Sequence, residues 1–153
     1  MKRIVLSLGI ALLALLLPAG ISPVSAQNTT LKAKISFAFT VCRESLPAGT
    51  YTLKHLSNNT QTLVIQNEEN RKAVDIACVN DISTSQAVSE GKLIFNRYGD
   101  QYFLTEAWWP GDTSGHALVK SEKEQALIKA FAADKAKKVE RVIIKTTKPG
   151  KSN

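Results

Sequence analysis

KLIFNRYGDQYFLTEAWW, residues 92–109, is the stretch that decides the fold class of this chain. Two segments rich in aromatic and branched side chains flank Gly99-Asp100, and such a pair suits a two-residue turn between antiparallel strands. We therefore predict a β-hairpin of strands 92–98 and 101–109. The turn sets a register with three cross-strand pairs: Tyr98 with Gln101, Arg97 with Tyr102, and Phe95 with Leu104.

Both faces of the predicted hairpin are apolar. Successive side chains of a strand point to opposite faces of the sheet. The alternation places Leu93, Phe95, Tyr102 and Leu104 on one face, and Ile94, Tyr98 and Phe103 on the other. Because an apolar face must be buried against another element, we expect each face of the hairpin to be covered.

A candidate cover for one face follows the hairpin in the chain. Ser121 and Glu124 have the spacing of a capping box, in which the serine hydroxyl accepts from the first helical turn and the glutamate reaches back. Leu127, Ile128 and Phe131 then form an apolar stripe at helical spacing. We predict a helix over residues 122–138.

Period-two alternation before the hairpin indicates further strands. One strand is predicted over 35–41, and Leu46-Pro47-Ala48-Gly49 is predicted to turn, with Gly49 able to adopt a positive φ. The other predicted strands are 51–56, 62–65, 72–79 and 139–147, with turns at 57–59 and 68–70. Together these elements predict a mainly β fold: an antiparallel up-and-down sandwich or small barrel with one C-terminal helix packed on it.

The first 26 residues have the pattern of a secretory signal peptide. Lys2 and Arg3 precede an apolar run over 4–17 that is short for a membrane span, and Val24-Ser25-Ala26 is a small-residue cleavage signal. We expect a secreted or periplasmic protein with no transmembrane segment after signal cleavage. Residues 27–147 are expected to form a single β-rich domain, followed by a disordered basic tail over 148–153.

The positive charge of the mature chain is concentrated at its C-terminal end. The chain has a net charge of +7, and beyond the signal peptide the whole excess of lysine and arginine follows residue 121. Lys135, Lys137, Lys138 and Arg141 form a candidate basic surface for a cell-envelope polymer or another anionic surface. A solvated helix face explains the same pattern. Nucleic acid is not expected, because Phe131 is the only aromatic residue there and stacking needs several.

Two tryptophans at the end of the hairpin are the clearest candidates for ligand binding. Trp108 and Trp109, with Tyr102, could stack on a sugar or another flat ligand. The alternative is that the tryptophans seal the end of the β core. Cys42 and Cys78 are the only cysteines. An even pair in an oxidising compartment predicts a disulfide, although the sequence does not show whether the two side chains face each other.

The two histidines give little support to catalysis. His55 is predicted to be a half-buried strand residue. His116 follows Asp112 and Ser114 in a short loop, and neighbours in a loop rarely reach the geometry of a catalytic triad. Two separated histidines and two separated cysteines also lack the spacing of a metal site. We therefore expect no catalytic residue, no metal and no cofactor.

Three motifs stand out in the β-rich part of the chain: Phe37-x-Phe39-x-Val41, Leu46-Pro47-Ala48-Gly49-x-Tyr51-x-Leu53, and Phe95-x-Arg97-Tyr98-Gly99-Asp100-x-Tyr102-Phe103-Leu104. Together they resemble a group of small secreted bacterial proteins with no assigned activity, and the similarity covers most of residues 31–138. The resemblance implies a compact β-domain behind a signal peptide, and it implies no catalytic residues.

One function hypothesis and two alternatives follow from these observations. The leading hypothesis is an exported, non-catalytic β-domain that serves as a binding or structural module of the envelope. The first alternative is a small β-barrel that carries an apolar ligand between Phe37, Phe39, Phe95, Leu104 and one tryptophan. The distant alternative is a hydrolase that uses His116.

Overall fold

Two β-sheets and one helix make up the computed structural model of the chain, which describes residues 30–56, 59–77 and 79–147. The elements are β1 (Leu31–Ile35), β2 (Phe39–Val41), β3 (Glu44–Leu46), β4 (Gly49–Leu56), β5 (Asn59–Asn67), β6 (Ala73–Ile76), β7 (Val79–Ser83), β8 (Lys92–Tyr98), β9 (Gln101–Trp108), β10 (Ser114–Leu118), α1 (Glu122–Ala133) and β11 (Glu140–Lys145). This architecture confirms the predicted mainly β fold with a helix near the C-terminus. The predicted signal peptide and basic tail lie outside the described residues.

The strands form two sheets in a sandwich-like arrangement. The first sheet has the order β1-β4-β5-β6, and the second has the order β11-β8-β9-β10-β7. This order is not a simple meander, since β4 lies beside β1 and β11 returns beside β8. Neighbouring strands are antiparallel except β2, which runs parallel to the first half of β9 and also pairs with β3. Lys32 and Thr147 join the two sheets at one edge through backbone hydrogen bonds of 2.9 and 2.8 Å.

The β8–β9 hairpin has the predicted register near its turn. All three predicted pairs are present: Tyr98 with Gln101, Arg97 with Tyr102, and Phe95 with Leu104. Further from the turn Ile94 pairs with Glu106, and the Thr105 hydroxyl donates to the Ile94 carbonyl oxygen at 3.0 Å. This irregularity is a β-bulge that reverses the alternation, so Ala107 and Trp109 belong to the core.

The segment 35–41 forms two strands, and the prediction of a single strand is wrong. β1 ends at Ile35 in the first sheet and β2 begins at Phe39 in the second, so the chain changes sheets between them. Ile35, Phe39 and Val41 are all buried in the shared core. Alternation of apolar residues therefore predicts their burial correctly, but it does not show into which sheet each segment is hydrogen-bonded. In packed sheets the chain often passes from one sheet to the other at such corners. The predicted strand 72–79 divides in the same way into β6 and β7.

Gly49 is required for packing rather than for an unusual backbone angle. It begins β4 after the predicted turn, but the positive-φ glycines of the described chain are Gly99 and Gly111. A Cβ added to Gly49 would lie 2.8 Å from Nδ2 of Asn67. The close approach of that amide explains why a side chain is excluded here.

The helix α1 is shorter than predicted. It ends at Ala133 because Asp134 adopts an extended conformation, with φ −113° and ψ 102°. The Asp134 carboxylate then accepts from the Ala136 N–H at 3.0 Å, which favours a turn over another helical residue. Lys135, Lys137 and Lys138 therefore lie beyond the helix rather than on it.

The capping box at the start of α1 forms only in part. The Glu124 N–H donates to the Ser121 hydroxyl at 3.2 Å, as predicted. The Glu124 carboxylate does not return to Ser121; it accepts from the Tyr98 hydroxyl at 3.2 Å and from the Asn96 amide at 3.4 Å. Phe131 packs edge-to-face on Tyr98 with ring centroids 5.3 Å apart. The helix thus covers the second face of the hairpin, as the sequence predicts.

Candidate functional site

An open groove lies between the tip of the β2–β3 hairpin, strand β6 and the start of α1. We call it the β6 groove; it is lined by residues 41–44, 74–77, 119–122 and Gln125, and its volume is about 630 Å³. Val41 and Ile76 are buried beneath it, and Val119 is 49% exposed beside it. The charged side chains around the groove are Arg43, Glu44, Asp75, Lys120 and Glu122. Ligand pockets have volumes of about 300–1,000 Å³, so the β6 groove is large enough for a ligand.

Strand β6 forms one wall of the groove and leaves one of its edges open. It pairs with β5 on one side and with no described strand on the other. The Lys72 carbonyl accepts from β5 at 2.9 Å. Because antiparallel pairs alternate between bonded and non-bonded, Val74 and Ile76 also exchange hydrogen bonds with β5. The backbone N–H and C=O groups of Ala73 and Asp75 therefore point away from β5, towards the open edge.

The opposite wall of the groove is a tight turn with an unusual backbone angle. Cys42 and Arg43 connect the paired residues Val41 and Glu44. Cys42 has a φ of 52°, in the left-handed region that favours glycine. The turn fixes the position of Arg43 at the rim of the groove.

Cys42 is the only cysteine among the described residues. Cys42 lines the β6 groove, and Ala77, at the end of β6, lines it as well. Cys78 lies outside the described residues, so the predicted disulfide stays a prediction.

The three aromatic residues predicted to bind a ligand do not share one surface. Trp109 is 2% exposed and belongs to the core between the sheets. Trp108 lies on the other side of the second sheet, where its indole N–H donates to Glu106 at 2.8 Å. Tyr102 is near the opposite end of β9 and stacks on Phe37 with ring centroids 3.8 Å apart. The structure therefore brings none of the three to the β6 groove.

His55, Trp109 and His116 form a cluster of rings between the two sheets. His55 belongs to β4 of the first sheet, and His116 to β10 of the second. The ring centroids of His55 lie 4.5 Å from Trp109 and 4.9 Å from His116, and those of Trp109 and His116 are 5.6 Å apart. His55 is half-buried, as predicted, and His116 is 8% exposed. The contact between these three rings was not predicted from the sequence.

Asp81 of the edge strand β7 is the carboxylate beside His116. Its Oδ1 lies 3.1 Å from Nδ1 of His116. The contact lacks the geometry of a hydrogen bond, and within the described residues the buried Nδ1 has no other partner. Burial, followed by the nearby His55 ring, lowers the pKa of His116 below its ordinary value, and Asp81 opposes this change. The imidazole is therefore held in its neutral form more strongly than a solvent-exposed histidine.

The candidate basic surface is partly neutralised by acidic neighbours. Arg141 lies on β11 and contacts Glu106 at 2.8 Å, and Lys137 lies 3.5 Å from Asp134. Lys135 and Lys138 are exposed, and neither has an ion pair with another described residue. The three lysines lie in the loop after α1 and Arg141 lies on β11, so the lysines do not occupy the helix face that the predicted helix over 122–138 implies.

The described part of the chain contains neither a metal-binding cluster nor a helix suited to span a membrane. No group of three or more histidine, cysteine or acidic residues there has an arrangement suited to a metal ion. No helix in the same residues combines the length and apolar character needed to cross a membrane.

Comparison with known proteins gives no relative on which to base a function. No protein-family model, curated protein or solved structure matches the chain at a significant level. The β6 groove was not found from the sequence because its walls come from three separate segments, none of which has a distinctive motif.

Proposed function

We propose that the chain is an exported, non-catalytic binding module of the cell envelope, and that it takes up an extended polypeptide segment in the β6 groove. The observation that carries this proposal is the open edge of β6 beside a groove with an apolar floor. Unpaired N–H and C=O groups of an edge strand can pair with an added strand, while neighbouring pockets accept its alternate side chains. The signal-peptide pattern of residues 1–26 supports export.

The size and charge of the groove restrict the bound segment. β6 has four residues, which span about 13 Å at the rise of a β-strand. The bound segment would therefore pair over only a few residues, and its apolar side chains would supply much of the affinity by covering Val74 and Val119. Basic and acidic residues are interspersed around the groove, which favours a segment of low net charge over a polyanion.

The backbone N–H of Asp75 should be required for peptide binding. Proline at position 75 lacks the N–H that faces the open edge, and it leaves the β5–β6 hydrogen bonds of Val74 and Ile76 in place. The mature protein, residues 27–153, is screened against a library of short unstructured peptides with alternating apolar residues. We expect Asp75→Pro to lose peptide binding, and the matched control Asp75→Asn to retain it.

The binding site is located by the amide resonances of isotope-labelled protein. Bound peptides should shift the resonances of Ala73 and Asp75 and leave unchanged that of Gly111, which precedes β10 at the end away from the groove. Equal binding by Asp75→Pro and Asp75→Asn, or a library without any binder, would contradict strand addition. Cleavage of the peptides by the purified protein would contradict a non-catalytic role.

We also propose that Cys42 and Cys78 form a disulfide in the exported protein. Cys42 lies at the wall of the β6 groove, and Ala77, which precedes Cys78 in the chain, lines the same groove. Oxidising compartments allow such a bond to persist. A disulfide here would tie the hairpin tip to the end of β6 and keep the two walls of the groove together.

The alternative of an internal apolar ligand has less support. Its proposed lining residues contact one another: the Phe95 ring lies edge-to-face against Phe37 and Phe39, with centroids 5.3 and 5.5 Å apart. Phe95 is itself fully buried. These rings fill the space that the ligand would need, so we favour the surface groove.

A further inference from the structure

We infer that the rings of His55, Trp109 and His116 form an acid-sensitive contact between the two sheets, which opens at this end of the sandwich when the pH falls. This inference is independent of the β6 groove and of any ligand. It rests on the position of the rings: one histidine from each sheet, with the buried indole of Trp109 beside both.

The neutral cluster is well suited to hold the sheets together. The His55 ring lies over Trp109 at a centroid distance of 4.5 Å and an angle of 30°, and the other two contacts are edge-to-face. Aromatic pairs at such separations contribute beyond the area that they bury. The cluster therefore connects β4 of the first sheet to β10 of the second through packed rings.

Protonation of His116 reverses this balance. A positive charge on this ring is opposed by burial and by the His55 ring, whose centroid lies 4.9 Å away, and such repulsion is stronger in a buried site than in water. The titratable groups that face His116 are His55 from β4 and Asp81 from β7. The Asp81 side chain is 65% exposed, so water and salt weaken the attraction by which it offsets a charge on His116.

The direction of the pH dependence follows from burial. The pKa of His116 is lowered in the folded protein, whereas in the unfolded chain it has the ordinary histidine value of about 6.5. The unfolded or opened form therefore binds protons first as the pH falls. The stabilising contribution of the cluster is complete above about pH 6.5 and is lost as the pH falls through the lowered pKa of His116.

Trp109 provides a direct reporter of this contact. The chain has two tryptophans, so Trp108→Phe leaves Trp109 as the only indole. Quenching of its fluorescence by acrylamide is measured from about pH 8 to about pH 5, the range in which histidines titrate. We expect Trp109 to be protected at the upper end and to become accessible, reversibly, towards the lower end.

Three variants in the same background distinguish a switch from simple packing. His55→Gln removes the imidazole that opposes a charge on His116 and should abolish most of the acid-induced rise in quenching. His116→Gln should do the same. Asp81→Asn removes the carboxylate beside His116. The rise in quenching should therefore begin at a higher pH. A merely structural role would change the quenching at every pH and leave its pH profile in place.

The unmodified mature protein gives a second measurement that needs no substitution. Hydrogen exchange of the β4 and β10 amides, corrected for the intrinsic effect of pH, should accelerate in acid more than exchange in the β8–β9 hairpin. Continued protection of Trp109 at about pH 5, an unchanged pH profile in His55→Gln, or uniform acceleration of exchange would each overturn the inference.

Discussion

Replacing Tyr98 with phenylalanine tests whether a buried carboxylate fastens the helix to the sheet. Glu124 is 3% exposed and accepts from the Tyr98 hydroxyl at 3.2 Å and from the Asn96 amide at 3.4 Å. Burial raises the pKa of Glu124, and the two hydrogen bonds oppose that change. Burial and the Glu124 carboxylate also raise the pKa of Tyr98 to about 12, so the phenol remains a donor at neutral pH.

The size of the effect follows from these contacts. Tyr98→Phe keeps the ring against Phe131 and removes only the hydroxyl. A hydrogen bond to a charged group contributes about 1.5–3 kcal/mol. Because the donor–acceptor distance of 3.2 Å is longer than the usual range of about 2.5–3.0 Å for an O–H donor, we expect a loss of only about 1.5 kcal/mol in the free energy of unfolding.

The loss should depend on pH in a defined direction. The Tyr98 hydroxyl stabilises the ionised form of Glu124, so its removal raises the pKa of the folded carboxyl further. The destabilisation is therefore complete above the raised pKa of Glu124 and shrinks as the pH falls through it. Titration of His116 affects the parent and the variant equally and cancels in the difference.

Urea unfolding of the mature protein, followed by circular dichroism at about pH 8 and about pH 4, on either side of the ordinary glutamate pKa of about 4.3, measures this difference. Tyr102→Phe is the matched control, because the Tyr102 hydroxyl has no hydrogen bond within the described part of the chain. We expect a marked loss for Tyr98→Phe at the higher pH only, and little change for the control. A loss independent of pH, or no larger than that of Tyr102→Phe, would refute the role assigned to Glu124.

Two further substitutions test the packing of the second sheet and the closure of the groove. Gly115→Ala should destabilise the fold by about 1–3 kcal/mol, because the new Cβ would lie 2.6 Å from the Trp108 ring and 2.9 Å from the Ala107 carbonyl oxygen; an unchanged unfolding temperature would contradict this. Cys42→Ala should cost about 3–4 kcal/mol in oxidised protein, as expected for a loop of about 37 residues, and far less in reduced protein. Alkylation of both cysteines without reductant would contradict the disulfide.

The register of the β8–β9 hairpin near its turn was predicted correctly, because it depends on residues that are adjacent in the sequence. Gly99-Asp100 selects the turn, and the turn sets the register of the residues that follow it. The bulge at Thr105 was missed, since both Thr105 and Glu106 are compatible with a regular strand and only the contacts of the folded sheet choose between them. Trp108 and Trp109 lie on opposite faces, as neighbours along a strand do, but the bulge decides which of the two enters the core.

The start of α1 shows how tertiary contacts compete with a local signal. Ser121 and Glu124 have the spacing of a capping box, and the serine caps the helix as predicted. The glutamate carboxylate instead lies beneath the helix and accepts hydrogen bonds from Tyr98 and Asn96. Those donors come from β8, far away in the sequence. No local pattern could indicate that they would be nearer to the carboxylate than the Ser121 N–H.

The open edge of β6 shows why the sequence does not predict a groove beside an edge strand. The alternation of Ala73 to Ile76 would be the same for an edge strand and a central strand, so the pattern does not show that one side lacks a partner. β6 is short, and Asp75 is exposed on it. Short edges and charged residues limit pairing between copies of a protein. An edge protected in this way binds weakly through its backbone alone, so selective capture of a segment depends on the apolar floor that the groove adds.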